Sequence, residues 1–204
     1  MQFLTHFLYG FLMAFIGVAA PGMLNMTALR VKIEKNGKAA FLFAAGAALI
    51  IIPQALIALS FAKYFVKNPE VIERLKVGGV FVLLALSVFF FFQARKKIKA
   101  EGTKRKGNYF FIGMFLSSIN MLAIPYYFFF SSFLEDKDLI IMQQPYNGFF
   151  VLGAFLGTFS LFSIYIQFAK IIEQRVQFIA RNINYVLSIL FFVLSILALT
   201  SLNN

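Results

Sequence analysis

Six stretches of this 204-residue chain contain no Asp, Glu, Lys or Arg. They are residues 1–29, 39–62, 77–94, 107–134, 139–169 and 182–204. A helix needs about 20 predominantly apolar residues to cross a bilayer, and each stretch is close to that length or longer. Charged residues make up 13% of the chain, whereas a soluble domain has about 25%. The sequence therefore predicts an all-α, polytopic membrane protein with six transmembrane helices, built as a single membrane domain over residues 1–204.

The segments between these stretches differ in charge, and the difference predicts how the helices are oriented. Segments 30–38, 95–106 and 170–181 are rich in Lys and Arg, whereas most of the acidic residues lie in the other two segments. Basic residues in short loops stay on the cytoplasmic side. We therefore expect an integral protein of a bacterial plasma (inner) membrane, with both termini outside and the basic loops in the cytoplasm.

The most basic segment, 95–106, divides the chain into two halves, roughly 1–94 and 107–204. Its cations predict contact with anionic lipid headgroups. These cations are Arg95, Lys96, Lys97, Lys104, Arg105 and Lys106. The net charge of +11 does not predict a nucleic-acid partner, because the basic residues are spread over short loops instead of lying on one folded face.

Two of the charge-free stretches are interrupted by proline beside small or polar residues. The residues concerned are Pro21, Gly22, Met23 and Asn25 in the first stretch and Asn120, Met121, Pro125 and Tyr126 in the fourth. Proline removes a backbone donor and clashes with the preceding turn. Non-helical backbone inside a membrane is tolerated only against protein or a wet cavity. We therefore expect helices 1 and 4 to be interrupted. Pro53, in the second stretch, is either a kink or part of a site.

Stretches one and four also resemble each other, which predicts a repeat. Gly10 precedes the first break and Gly113 precedes the second. Two units of three helices must insert in opposite senses, as in the 3+3 inverted repeats of secondary transporters, whose substrates bind where interrupted helices meet. The small residues Gly153 and Gly157 allow helices to approach closely. They predict packing within the chain, with a homodimer interface as an alternative.

The residues available for chemistry are few. The chain has no Cys and a single His, His6, which we expect at the membrane interface, and no acidic residue lies inside a predicted span. Hard cations require oxygen ligands such as carboxylates. Covalent or acid–base catalysis requires a nucleophile beside a base. The sequence therefore predicts no metal site, no cofactor and no enzymatic activity.

The two breaks predict a substrate site without a charged side chain. A helix N-terminus carries about half a positive charge and receives carboxylates, while unwound carbonyls can receive an ammonium group. A small zwitterion satisfies both requirements. The expected substrate-binding residues are Pro21, Gly22, Asn25, Gln54 and Asn120. The residues expected to form the breaks or a gate are Met23, Met121, Pro125 and Tyr126.

These motifs resemble the amino-acid translocators of the lysine exporter (LysE/RhtB) family. In that family a Pro-Gly-Pro step follows a Gly in the first helix, and an Asn-Pro step follows a Gly in the fourth. Pro21 and Asn120 stand at the corresponding spacings from Gly10 and Gly113. Met23 and Met121 replace the second proline of the first motif and the proline of the second, which indicates a divergent branch.

The resemblance implies a six-helix secondary transporter that exports amino acids or similar small metabolites, driven by an ion gradient. Two alternatives remain open from the residues alone. One is a metal or inorganic-ion efflux protein, which the lack of buried carboxylates disfavours. The other is a non-transporting membrane scaffold that uses the basic loop 95–106.

Overall fold

A computed structural model describes residues 1–19, 22–68, 80–81, 84–92, 94–95, 107–120 and 122–200. All regular secondary structure in these residues is helical, which agrees with the all-α prediction. Seven helices have defined bounds: α1 (Gln2–Gly17), α2 (Met23–Glu34), α3 (Gly37–Lys67), α4 (Tyr109–Ser118), α5 (Ala123–Asp136), α6 (Tyr146–Gln167) and α7 (Ala169–Thr200). Residues 84–92 are also helical.

Side chains fix the starts of two of these helices. The Oδ1 atom of Asn36 accepts a 2.9 Å hydrogen bond from the backbone N–H of Ala39 at the start of α3. The Oδ1 atom of Asn108 accepts one of 3.1 Å from Phe110 at the start of α4. Such caps satisfy N–H groups that have no partner within the helix. Helix α3 then continues through Pro53, whose side chain is exposed.

Two described helices are long and apolar enough to cross a membrane, namely Gly37–Phe65 and Tyr146–Gln167. Helices α4 and α5 are bent by 63° at the break between them, and together they meet the same requirement as one broken span. The shorter helix α1 is apolar. The described residues therefore contain two or three candidate spans, and the count of six remains a prediction.

The chain folds into two compact units. One unit comprises Met1–Val66 and Ala100–Glu173, and the other comprises Lys67–Lys99 and Gln174–Asn204. The first unit holds both helix breaks.

In the first unit, α1 packs closely along α6 through glycine. A Cβ atom added to Gly10 would overlap the carbonyl of Phe150, and one added to Gly153 would overlap the carbonyl of Phe7. Gly157 approaches the backbone of Phe11 in the same way. The predicted glycine face of α6 therefore packs within the chain.

Helix α4 packs along α3 by the same arrangement. A Cβ atom at Gly113 would overlap the carbonyl of Phe43, and one at Gly46 would overlap the carbonyl of Phe110. In both helix pairs, the carbonyl that each glycine meets belongs to a phenylalanine three residues before the partner glycine. Helix α1 of the first half thus packs against α6 of the second, and α4 of the second half packs against α3 of the first. In both cases, a helix that ends at a break packs against an uninterrupted helix of the other half.

The second unit contains a reciprocal contact between residues 84–92 and α7. The Ser87 hydroxyl donates a 2.9 Å hydrogen bond to the carbonyl of Ser188, and the Ser188 hydroxyl donates one of 2.9 Å to the carbonyl of Ser87. One turn further along, the rings of Phe90 and Phe191 stack with centroids 5.5 Å apart. Both contacts have the form expected around a local two-fold axis, in which equivalent residues exchange equivalent contacts.

Of the basic cluster predicted at 95–106, only Arg95 is described. Its guanidinium lies 4.4 Å from the centroid of the Phe91 ring, a cation–π contact. The other five predicted headgroup contacts lie outside the described residues.

Candidate substrate site at the helix breaks

The first helix is interrupted as the sequence predicts. Helix α1 ends at Gly17 and α2 begins at Met23. Gly22 precedes α2 in an extended conformation, with φ −108° and ψ −176°, so the backbone is not helical at this residue. The predicted site residue Pro21 lies outside the described residues. Met23 is exposed.

Two side chains donate hydrogen bonds to backbone carbonyls at the first break. The Asn25 amide group donates a 2.6 Å hydrogen bond to the Val18 carbonyl. The Tyr165 hydroxyl donates one of 2.8 Å to the Ala19 carbonyl. The last carbonyls of a helix have no partner within it, and in an apolar medium each unsatisfied group costs several kcal/mol. Asn25, which is 2% exposed, therefore has a structural role at the break whether or not it also contacts substrate.

The fourth predicted span is also interrupted, between the end of α4 at Ser118 and the start of α5 at Ala123. The carbonyl of Ser117 accepts a 3.0 Å bond from Nε2 of Gln54 and another of 3.0 Å from the backbone N–H of Asn120. The Asn120 carbonyl accepts a 3.4 Å bond from Ala123. The backbone of Asn120 thus forms the turn between the two helices. Met121 lies outside the described residues.

Tyr126 connects the two breaks. It lies in the first turn of α5, directly after Pro125, which is exposed. Its hydroxyl donates a 2.7 Å hydrogen bond to the carbonyl of Met13 in α1. Its ring lies against Gly17, where a Cβ atom would overlap it. The sequence places Tyr126 at a break or gate, and in the structure it holds the start of α5 against the end of α1.

The start of α2 is the more suitable of the two interrupted ends for an anion. No side chain caps α2 among the described residues, and its first turn contains no acidic residue. Helix α5 also lacks a side-chain cap, but its third residue is Pro125, which has no N–H. The N–H of Ala123 is already bonded to Asn120. Helix α2 therefore offers more backbone donors to a carboxylate than α5 does.

Buried polar atoms without partners lie beside the second break. Gln54 uses its Nε2 to hold the Ser117 carbonyl, but its Oε1 has no hydrogen-bond partner among the described residues. The Ser117 hydroxyl also has no hydrogen-bond partner among the described residues, and Ser117 is fully buried. Buried polar groups are normally hydrogen-bonded. These two atoms therefore lack, within the described residues, the hydrogen bond that a buried polar group normally makes.

The side chain of Asn120 differs from that of Asn25. Asn120 is half-buried, and its amide makes no hydrogen bond with a described residue. Its backbone holds the turn while its side chain remains available. Of the two asparagines predicted to bind substrate, Asn120 is thus the one whose side chain makes no hydrogen bond with a described residue.

Along the chain, Arg30 is the charged residue closest to either break among the described residues. Arg30, in the second half of α2, forms a 2.5 Å ion pair with Glu34. The described residues contain no group of three His, Cys, Asp or Glu that could hold a metal ion. The polar groups of the described residues at the breaks are backbone dipoles, amides and hydroxyls.

Neither the role of Tyr165 nor the pairing of Tyr126 with Met13 was predicted from the sequence. Both contacts join residues more than a hundred positions apart, so local spacing cannot predict them. One signal was present for Tyr165: it belongs to an apolar stretch, where a buried tyrosine hydroxyl usually finds a partner.

Comparison with protein-family models matches residues 15–202 to the family described as LysE type translocator. Comparisons with curated proteins and with solved structures gave no match. The family match spans nearly the whole chain and includes both helix breaks. The chain therefore belongs to the LysE type translocator family.

Proposed function

We propose that this protein is a secondary transporter that exports amino acids or similar small zwitterionic metabolites across a bacterial inner membrane, driven by an ion gradient. Membership of a translocator family supports transport. The finer statements depend on the geometry of the breaks.

The observation that carries the proposal is the pair of interrupted helices joined by Tyr126. The hydrogen bond from Tyr126 to Met13 brings the start of α5 to the end of α1. Interrupted helices that meet inside the membrane form the substrate sites of many secondary transporters. Here the breaks lie in one compact unit and offer polar groups of both kinds, donors at α2 and acceptors beside α4.

The substrate would bind with its carboxylate at the N-terminus of α2, near Gly22. Its ammonium group would lie toward Gln54 Oε1 and the side chain of Asn120. The site needs no charged residue, because the helix dipole and the unpartnered oxygen atoms complement the two charges of a zwitterion. A substrate with a further positive charge would leave that charge unpaired.

The reciprocal packing supports a 3+3 inverted repeat of six helices. Gly10 and Gly153 exchange the same backbone contacts as Gly113 and Gly46, and Ser87 and Ser188 exchange hydrogen bonds. Such equivalence is expected when two halves are related by a two-fold axis. Rocking of the halves about the breaks would then give alternating access. We also propose that the basic loop after Arg95 contacts anionic headgroups from the cytoplasmic side.

Efflux from proteoliposomes tests the transport proposal. Vesicles containing the purified protein are loaded with a mixture of amino acids and placed under a proton or sodium gradient. We expect one or a few species to leave faster than from vesicles without protein. Vesicles containing the Asn120→Leu variant at equal protein content are the matched control. Efflux that never exceeds the protein-free rate, under either gradient, would overturn the proposal.

A further inference from the structure

His6 lies in α1, one turn from its start, and is buried, with 3% of its surface exposed. Both ring nitrogens make hydrogen bonds of 2.7 Å. Nδ1 is bonded to the carbonyl of Gln2, and Nε2 to the backbone N–H of Ile141. Ile141 lies in the loop of residues 137–145 between α5 and α6. The histidine expected at the membrane interface is therefore a buried contact between α1 and this loop.

These two bonds determine the protonation state of the ring. A backbone N–H can only donate, so Nε2 must accept and cannot carry a proton. A carbonyl can only accept, so Nδ1 must carry the proton. His6 is therefore neutral in this structure, in the Nδ1–H form. A second proton would have to be placed on Nε2, directly against the Ile141 N–H.

The next amide of the same loop is bound in a comparable way. The carboxylate Oε1 of Glu135, in the last turn of α5, accepts a 3.4 Å hydrogen bond from the N–H of Met142. Consecutive amides of the loop thus bind two titratable side chains. The other carboxylate oxygen of Glu135, Oε2, is buried and has no partner among the described residues.

Among the described residues, a few other titratable groups lie on the helices and the loop that contact His6. The ring of Tyr146, the first residue of α6, stacks on His6 with centroids 4.8 Å apart. Asp136 and Lys137 pair with each other at 3.0 Å and are exposed, as is Asp138. The amino terminus lies about one turn before His6 on its own helix. Glu135 is therefore the one half-buried carboxylate among these neighbours.

We propose that His6 is a proton-sensitive latch between α1 and the 137–145 loop. Uptake of a proton on Nε2 replaces an acceptor with a donor, so the bond to Ile141 breaks and the loop is released from α1. Glu135 offers Oε2 as the new acceptor, and a His6–Glu135 ion pair then stabilises the released state. The latch opens as the pH falls and closes as it rises. It does not depend on the substrate or on transport.

The absence of native cysteine allows the latch to be tested by labelling. Met142 is 2% exposed and Gln143, its neighbour in the loop, is exposed. Single Met142→Cys and Gln143→Cys variants of the full chain are reacted with N-ethylmaleimide at a series of pH values between about pH 8 and about pH 5.5. The ratio of the two rates removes the pH dependence of the thiol itself.

With His6 present, the ratio of the rate at position 142 to that at 143 should rise as the pH falls, by at most about tenfold per pH unit because one proton is taken up. In a His6→Gln background, glutamine can still accept from Ile141 but does not titrate, so the ratio should remain flat. A flat ratio with His6, or an equal rise with His6→Gln, would overturn the latch.

A second measurement does not require a variant. Because the chain has one histidine, ¹⁵N-labelled histidine gives two imidazole nitrogen signals. At high pH they should show a protonated Nδ1 and an unprotonated Nε2. Signals of the opposite tautomer would exclude the Ile141 contact and the latch with it.

Discussion

The hydroxyl of Tyr126 donates a 2.7 Å hydrogen bond to the carbonyl of Met13, which lies 113 positions earlier in the chain. Gln54, in the first half of the chain, donates a corresponding 3.0 Å hydrogen bond to the carbonyl of Ser117 in the second half. Each bond runs from one half of the chain to the last turn before the break in the other half. The breaks are therefore positioned by side chains of the opposite half, and not only by their own sequence.

Replacing Tyr126 with Phe should lower the free energy of unfolding by about 0.5–1.5 kcal/mol, the usual contribution of one hydrogen bond. The ring that packs on Gly17 is retained, so the change isolates the hydroxyl. Thermal unfolding of the purified protein in detergent measures the effect. Tyr109→Phe is the matched control, because its hydroxyl makes no hydrogen bond with a described residue. Equal unfolding temperatures for the two variants would contradict a structural role for the Tyr126 hydroxyl.

Both breaks could be located from the sequence because their causes are local. Proline and glycine act within one turn of the chain, and Gly22 and Asn120 lie where the spacing predicts non-helical backbone. The correspondence between Gly10 and Gly113 was also visible, since it is a matter of spacing. Gly153 was predicted to pack within the chain, but neither its pairing with Gly10 nor that of Gly46 with Gly113 was predicted, because tertiary structure decides which helices pack together.

The two asparagines at the breaks should respond differently to leucine. Asn25→Leu removes the donor to the Val18 carbonyl and should destabilise the protein by about 1–3 kcal/mol, the cost of a buried group left unsatisfied. Asn120→Leu removes no hydrogen bond within the described residues and should change stability by no more than about 0.5 kcal/mol. Thermal unfolding of both variants in detergent measures the difference.

The Asn120→Leu variant, which should keep its stability, should lose its transport activity. We expect Asn120→Leu to express and fold normally while exporting nothing above the protein-free rate, because its amide is available to substrate. Efflux rates are compared at equal amounts of folded protein, measured by size-exclusion chromatography. Unchanged efflux from Asn120→Leu would remove this residue from the site.

The role of Asn25 shows why site residues are harder to predict than breaks. Its type and its position beside the first break predicted substrate binding. Only the 2.6 Å contact with Val18 shows that its donor is used by the protein. His6 is a similar case, since its partner Ile141 lies 135 positions away.

Alanine should be poorly tolerated at the four glycines of the helix crossings. At Gly10, Gly46, Gly113 and Gly153 an added Cβ would overlap a backbone carbonyl of the neighbouring helix. We expect each substitution to lower stability by about 1–3 kcal/mol, as overpacking does.

Gly148→Ala is the control for this series, because it lies in the same helix as Gly153 and its nearest contact would be at an ordinary 3.8 Å. There alanine should be neutral or stabilising by about 0.5–1 kcal/mol, since it is the better helix former. If the halves are equivalent, Gly10→Ala and Gly113→Ala should shift the unfolding temperature by similar amounts. A large difference between them would argue against the inverted repeat.

A carboxylate attached at the start of α2 should block transport without unfolding the protein. Gly22 is the residue before the first turn, and its extended backbone suits any residue type. In a Gly22→Asp variant the side chain can accept from the first N–H groups of α2, and its charge is stabilised by the helix dipole by about 0.3–1 kcal/mol. The aspartate would then occupy the position that we assign to the substrate carboxylate, so efflux should fall to the protein-free rate.

The Gly22→Ser variant distinguishes this competition from a general effect of substitution. Serine also caps a helix but carries no charge, so a substrate carboxylate can displace its hydroxyl from the amides. Efflux should therefore persist in Gly22→Ser and be lost in Gly22→Asp, with both proteins unfolding at or above the temperature of the unmodified chain. Undiminished efflux from Gly22→Asp would mean that the substrate carboxylate binds elsewhere, because two anions cannot share one helix end.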